Sequence, residues 1–318
     1  MDLKKKDYVI EELSDSSYKH KKHVSVIIPV FNDYARLSLC IKALERQSFH
    51  RDEFEIIVID NGLSIEYKAK LWENTKILFY NEKTPGSYAA RNKGIILSNA
   101  EILAFTDSDC VPDKDWIARG VNALSSGNNI GLVGGKIEFF FKNPGKPNIW
   151  EIYDSRTYLN QQYAIKFSRF AATANMFTKK EIFNNVGLFN SSLKSGGDRE
   201  WGERVFSAGY MLKYADDAVI YHPARASFFE IKKRYRRIYG GCHQMYNYKL
   251  SHHALISFCG NVIVDLSPPV RFMRRILQDS NISGIRTKAK VIGVHMLAKL
   301  SRLYYRFKYL FGAQPTRS

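Results

Sequence analysis

The stretch AFTDSDCVPDKDW, Ala104 to Trp116, sets two carboxylates, Asp107 and Asp109, one residue apart directly behind an apolar run. Asp is a poor strand former, and a buried charge is costly unless it is paired or bound to a metal. Asp, Ser and Pro also favour turns, so this stretch alone reads equally as a turn or as a site. If it is a site, the chemistry is that of a hard cation. Magnesium commonly binds through one or two carboxylates plus substrate phosphates, and an Asp-x-Asp pair at a strand end supplies that arrangement. No G-x-G-x-x-G follows the first apolar run and no G-x-x-x-x-G-K-[ST] is present, which argues against a Rossmann dinucleotide site and a P-loop. Phosphate could still be handled by a metal.

The elements that must position these acids are legible in the apolar pattern. VSVIIPV (Val24–Val30) and FEIIVID (Phe54–Asp60) are continuous β-branched runs, as expected of strands covered on both faces. After Asp33, a helix N-cap by type, Leu37, Cys40, Ile41 and Leu44 follow helical spacing. KILFY (Lys76–Tyr80) is a shorter strand, Ser87 can cap a helix through Leu97, and EILAFTD (Glu101–Asp107) returns as a strand. This alternation predicts βαβ units and a mainly parallel sheet. Polar groups recur where strands end: Asn32 and Asp33, Asp60 and Asn61, Asp107 and Asp109. Ligands of open α/β sheets bind outside the carboxyl ends of the strands, so one acidic rim favours a site over unrelated turns. From Gly131 the pattern changes: a strand in GLVGGKIEFFF, a helix near Trp150–Gln161, and a further apolar run FAATANMF (Phe170–Phe177). The glycine-rich SGGDREWGERVFSAG (Ser195–Gly209) leads into a short helix with Trp201 and Val205 inward, and AVIYH (Ala218–His222) is a last strand.

The chain has 318 residues and a formal charge of +17, placed unevenly. Beyond Pro223 there are 18 Lys and Arg against three Asp and Glu, while the first 223 residues carry only +2. The charged start, MDLKKKDYVIEELSDSSYKHKK, lacks the apolar core of a secretory signal and reads as a polar leader. Cys40, Cys110, Cys242 and Cys259 form no C-x-x-C pair, which fits a reducing cytoplasm and points to neither a disulfide framework nor a zinc site.

Taken in order, VSVIIPVFND, EIIVIDNG, NEKTPGSYAARNKGI, ILAFTDSDCVPDKDW, NVGLF (Asn185–Phe189), GGDREW and VIYHP resemble the family 2 glycosyltransferases, inverting enzymes with the GT-A fold, over roughly Val24 to Pro223. The resemblance implies an α/β fold: a Rossmann-like nucleotide-diphospho-sugar transferase, its mainly parallel sheet flanked by helices. Residues 1–22 would be the leader and 23–223 the transferase domain, with a nucleotide-binding half over 23–130 and an acceptor half over 131–223. Residues 224–318 would be a basic, aromatic, mostly helical extension. By the same resemblance, Pro29, Phe31 and Asn32 belong to the first nucleotide-contacting loop. Asp60 would accept a hydrogen bond from the base, as an ionised carboxylate does from the imide N–H of uracil. Arg91 and Asn92 would lie near the diphosphate and sugar, where a planar guanidinium matches phosphate oxygens. Asp107 would face ribose and metal, Asp109 would ligate the metal (Mn2+ or Mg2+), and His222 would be a third ligand. Asp198 falls at the catalytic-base position. The family's common form has Glu-Asp there, whereas this chain has Gly197-Asp198; Glu200 is left either to compensate or to pair with Arg204. Leu63 between Gly62 and Ser64 is a further departure.

The function implied is metal-dependent inverting transfer, of hexosyltransferase type, from a nucleotide-diphosphate donor (a UDP-sugar) to a growing cell-surface glycan or a lipid-linked acceptor. Two alternatives remain at this point. A sugar nucleotidyltransferase would show a basic glycine-rich loop where this chain has FNDYARL (Phe31–Leu37). A non-catalytic adaptor would explain the missing acid before Asp198. In the tail, FFEIKKRYRRIYGGCHQMYNYKL (Phe228–Leu250) and KLSRLYYRFKYLFG (Lys299–Gly312) interleave cations with aromatics. That pattern suits an anionic membrane surface or nucleic acid, and the resemblance favours the membrane. ALISFCGNVIVDL (Ala254–Leu266) is too short to span a bilayer and Asp265 interrupts it. The expectation is a cytoplasmic protein, peripheral on the inner face of the cell membrane, whose tail takes no part in the nucleotide-sugar site.

Overall fold

A computed structural model describes residues 22–62, 77–246, 252–311 and 313. The expected leader, apart from Lys22, lies outside the described residues, as do Leu63, Ser64, Lys76 and Gly312. Eight strands are described: β1 (Val24–Val30), β2 (Phe54–Asp60), β3 (Ile77–Asn81), β4 (Ile102–Thr106), β5 (Val111–Pro112), β6 (Ile130–Phe140), β7 (Asn175–Lys179) and β8 (Met211–Pro223). They form one sheet in the order β3-β2-β1-β4-β7-β6-β8-β5. β1 pairs in parallel with both β2 and β4, and β2 with β3. β7 runs antiparallel to β4 and β6, and β8 pairs in parallel with β6. Two reversals restore direction, so β8 runs the same way as β4. The carboxyl ends of β1, β2, β4 and β8 therefore share one rim, as the strand-end acids require.

The β-branched runs of β1 and β2 are buried because helices cover both faces of the sheet. On one face, α1 (Tyr34–Leu44) buries Leu37, Cys40, Ile41 and Leu44, and α3 (Trp116–Ser125) buries Trp116 and Ile117. On the other lie α2 (Ser87–Leu97), α5 (Lys180–Val186) and α6 (Gly197–Ser207), the last with Trp201 and Val205 inward as its spacing predicts. Asp33 precedes α1 without capping it; its carboxylate pairs with Arg36 at 2.5 Å instead. Gly94 lets α2 lie close on the sheet, since a Cβ there would sit 2.5 Å from Ile27 Cγ2. The run FAATANMF is a strand only from Asn175. The Asn175 amide, wholly buried, accepts from Trp116 Nε1 (2.8 Å) and donates to the carbonyls of Lys136 and Ala218. It ties the sheet together where the preceding residues cannot pair.

The C-terminal residues are joined to the body by a shared core. α4 (Ile149–Thr157), started by an Asn148–Glu151 capping box, packs against α7 (Phe228–Tyr246), α9 (Val270–Gln278) and α10 (Ile285–Leu310). Between α7 and α10 runs α8 (His252–Leu266). Tyr153 and Tyr235 share a 2.9 Å hydroxyl hydrogen bond in this core. Arg234 is ion-paired there with Asp154, which also accepts from the Arg225 N–H at 2.9 Å. Both members of that pair are buried.

Asp154→Ala leaves Arg234 buried and unpaired, and is expected to lower the unfolding free energy by about 3–5 kcal/mol. Urea denaturation measures this, and the double variant Asp154→Leu/Arg234→Met should recover much of the loss.

Candidate active site

Four strand ends and three helices surround a cleft of ≈ 490 Å³ on the carboxyl rim. Pro29, Phe31, Arg91, Asp107, Asp109, Asp198 and His222 all face it. These seven residues span nearly two hundred positions of sequence, and the rim geometry brings them together. Asn32, Asp60 and Asn92 do not line it.

Asp107 and Asp109 leave β4 with different surroundings. The Asp107 side chain is 35% exposed and accepts from Arg91 Nη2 at 2.5 Å. That of Asp109 is 14% exposed and lies near Arg36 (3.5 Å), Arg225 (3.9 Å) and His222 Nε2 (4.0 Å). His222 Nδ1 lies 2.8 Å from the Pro223 carbonyl, which can only accept, so Nδ1 carries the proton. Nε2 is left as a lone-pair donor turned towards Asp109. Burial pushes the His222 pKa down against the pull of Asp109, which keeps the ring neutral, the form that ligates metals. One carboxylate oxygen and one neutral imidazole nitrogen within closing distance suit a divalent cation. Asp109, Cys110 and His222 form the one cluster of possible ligands among the described residues.

Asp198 sits in the first turn of α6, half-buried, with Oδ1 accepting from Tyr88 Oη (3.2 Å) and the Arg199 N–H (3.0 Å). Burial raises its pKa above the usual carboxylate range; the Arg91 charge and the two hydrogen bonds oppose that shift, and Asp107 adds to it. The neighbouring position is glycine for a steric reason. A Cβ on Gly197 would lie 2.8–3.0 Å from the Tyr88 ring. Tyr88 thus occupies the space of a side chain at 197 and supplies the partner for Asp198. Glu200 does not compensate: Arg204 Nε holds it at 2.8 Å, one helical turn on.

The three residues outside the cleft have other work. Asp60 is wholly buried and accepts from Tyr34 Oη (2.9 Å) and the Gly62 N–H (2.7 Å). Asn32, at φ 52°, packs against Gly62, where a Cβ would fall 2.5 Å from its Oδ1. Both buttress the cleft floor. Asn92 clamps the backbone of Phe189, donating from Nδ2 (2.8 Å) and accepting at Oδ1 (3.1 Å).

Sequence reading missed Tyr88, Arg225 and Arg237, all of which face the cleft. The expectation that the tail stands apart from this site is corrected: α7 contributes Arg237, and the segment before it Arg225. Arg237 lies within electrostatic reach of Tyr158, Tyr88, Asp107 and Asp198. The Nε atoms of Arg91 and Arg237 are buried with no acceptor among the described residues, donors that phosphate oxygens would satisfy. Tyr88 was within reach of sequence reasoning, one helical turn ahead of Arg91; Arg237 was masked by the many other cations of its helix.

Residues 25–187 match Glycosyl transferase family 2. Glycosyltransferase AglE of Haloferax volcanii is 39% identical over 219 residues, 67% of this chain and 71% of that protein. Chondroitin synthase of Pasteurella multocida is 24% identical over 236 residues, 63% of this chain but only 24% of the synthase. A solved mannosyltransferase from Pyrobaculum calidifontis, in complex with GDP-Man and Mn2+, superposes with a TM-score of 0.62 at 15% identity, covering 93% of this chain and 89% of that one. Residues 1–349 of S. aureus TarS superpose at 0.51 and 15% identity, covering 92% of each chain. The two superpositions show the GT-A fold.

Asn92→Ala breaks both hydrogen bonds to Phe189 and is expected to cost about 2 kcal/mol of stability while leaving nucleotide affinity within about twofold. Thermal melting and calorimetry read the two quantities separately. Lost affinity with unchanged melting would place Asn92 against the ligand instead.

Proposed function

This chain belongs to glycosyltransferase family 2, and from that premise we propose that it transfers a sugar with inversion from a nucleotide diphosphate to an acceptor hydroxyl, with Asp198 as the base. The observation that carries this reading is the placement of Asp198, a half-buried carboxylate across one cleft from Asp107, Asp109 and His222. A divalent cation, Mn2+ or Mg2+, would be held by Asp109 and His222 with Asp107 beside them. When bound, such an ion offsets the negative charge of the departing nucleotide diphosphate. Asp198 takes the acceptor's hydroxyl proton as that oxygen bonds to the anomeric carbon, from the face opposite the leaving group. The bond from that carbon to the diphosphate oxygen breaks, and its electron pair leaves with the phosphate. Arg91 and Arg237 donate to the phosphate oxygens, and the Tyr88 hydroxyl holds Asp198 in line.

By the resemblance at Asp60 a uridine nucleotide is one candidate donor, although that carboxylate is held by Tyr34 and the Gly62 N–H behind the cleft wall. GDP-Man in the Pyrobaculum structure makes a guanosine nucleotide the competing choice, since guanine also presents N–H donors to an acid. The acceptor is a growing cell-surface glycan or a lipid-linked sugar. Calorimetry of UDP- and GDP-sugars with manganese, followed by hydrolysis assays, tests the reading. Binding without turnover of any donor would favour a non-catalytic adaptor.

Asp109→Asn is expected to weaken metal-supported nucleotide binding by at least about tenfold; unchanged affinity would remove Asp109 from the metal site. Asp198→Asn should keep donor binding and lower turnover by about 10²-fold or more. The base works ionised, and its pKa is raised, so the acid limb of the turnover profile should lie above the ordinary value of about 3.9. Above that pKa the ionised carboxylate costs folding stability. Asp198→Asn is therefore expected to melt no lower than the parent at neutral pH.

A further inference from the structure

Helix α10 is apolar on two sides. Its inner side buries Val291, Val294, Ala298, Tyr305 and Tyr309 in the C-terminal core. Its outer side carries Leu297, Leu300, Tyr304, Phe307 and Phe311 at intervals of three and four, with Leu300 61% and Phe311 82% exposed. An apolar groove of ≈ 620 Å³ runs along this stripe. α8 and α9 both pack on α10, and they expose Ile263, Val264 and Leu266, and Val270, Met273 and Leu277. Single exposed leucines need no explanation, but an apolar surface spread over three packed helices marks a docking site.

The charges around this surface identify what it docks on. Several of the tail's cations have internal partners: Arg234 with Asp154, Arg302 and Arg306 on Asp265, and Lys299 on the carbonyls of Val264 and Ser267. Arg271 and Arg274 are exposed and have no ion-pair partner among the described residues. Together with Arg156 and Arg275 they line an open cleft of ≈ 570 Å³. Its one acid, Asp279, is already held by Arg156 at 2.7 Å. Exposed aliphatic side chains beside uncompensated arginines match the acyl region and phosphates of an anionic bilayer. Nucleic acid would call for stacking aromatics, and here most of the exposed apolar groups are aliphatic. No described helix is long and apolar enough to cross a membrane, so the contact is one of lying on the surface.

We propose that α8, α9 and α10 seat this protein on an anionic lipid surface, with the arginine cleft taking headgroup phosphates. This narrows docking from the whole tail to these three helices, with affinity from apolar insertion as well as charge. The cleft also adjoins the donor site: Ser155, Arg156 and Asn160 line the first, and Tyr158 and Leu159 the second. The proposal is independent of which nucleotide sugar is used.

Flotation of the full chain with phosphatidylcholine vesicles, with and without phosphatidylglycerol, tests it. Binding is expected on the anionic vesicles, weakened at least about tenfold in Arg271→Glu/Arg274→Glu. Binding that survives raised salt should be lost in Leu300→Gln/Phe311→Gln. Thermal melting of each variant checks folding without recourse to the donor site. Three results would overturn the proposal: equal flotation of parent and variants, tighter binding to single-stranded RNA than to vesicles at matched salt, or a dimer in sedimentation that Leu300→Gln/Phe311→Gln disperses while no vesicle is bound.

Discussion

The Arg91 guanidinium, buried on α2, joins the two halves of the cleft. It holds Asp107 at 2.5 Å, lies 5.7 Å from the centroid of the Tyr88 ring, and draws the Asp198 carboxyl down against the effect of burial. Carboxylates facing one partly dry cleft repel each other and resist ionisation. Arg91 supplies a fixed cation that faces both Asp107 and Asp198. The helix that carries Arg91 lies close on β1, at the contact between Gly94 and Ile27.

Helix α6 shows the same dependence in another form. A glycine stands before Asp198 where an acid is common in the family, and this looked like degeneration. In three dimensions the space is filled by Tyr88, whose hydroxyl reaches Asp198 from α2. A hydroxyl donor supports an ionised carboxylate, whereas a second acid beside it would oppose ionisation. The departure therefore fits a carboxylate supported by a different neighbour.

The C-terminal helices serve the cleft as well as the surface. Arg225 and Arg237 form part of the cleft wall, and Arg234 is fixed to Asp154 of α4. A count of charges along the chain treats these cations as equivalent. The fold divides them into one set facing the reaction cleft, one satisfied internally, and one left on an apolar outer face. Asp265, which interrupts an apolar run in the sequence, is the internal anchor of Arg302 and Arg306.

Much of this was legible from residue order. The runs Val24–Val30 and Phe54–Asp60 are strands to the residue, and Trp201 and Val205 do face inward. Such features follow from local rules: β-branched runs extend, helical spacing selects a face, and acids that follow strands collect on the rim where the strands end. The sequence by itself determined the fold class, the acidic rim and the positions of Asp107, Asp109, Asp198 and His222 upon it. Only the tertiary structure decided that Asp60, Asn32 and Asn92 support the cleft without facing it, and that Tyr88 and Arg237 belong to it. Tyr88 meets Asp198 across 110 positions, Asn92 meets Phe189 across 97, and Arg234 meets Asp154 across 80. A polar side chain's role is set by the partner it finds through space, and no local pattern encodes a partner that far along the chain.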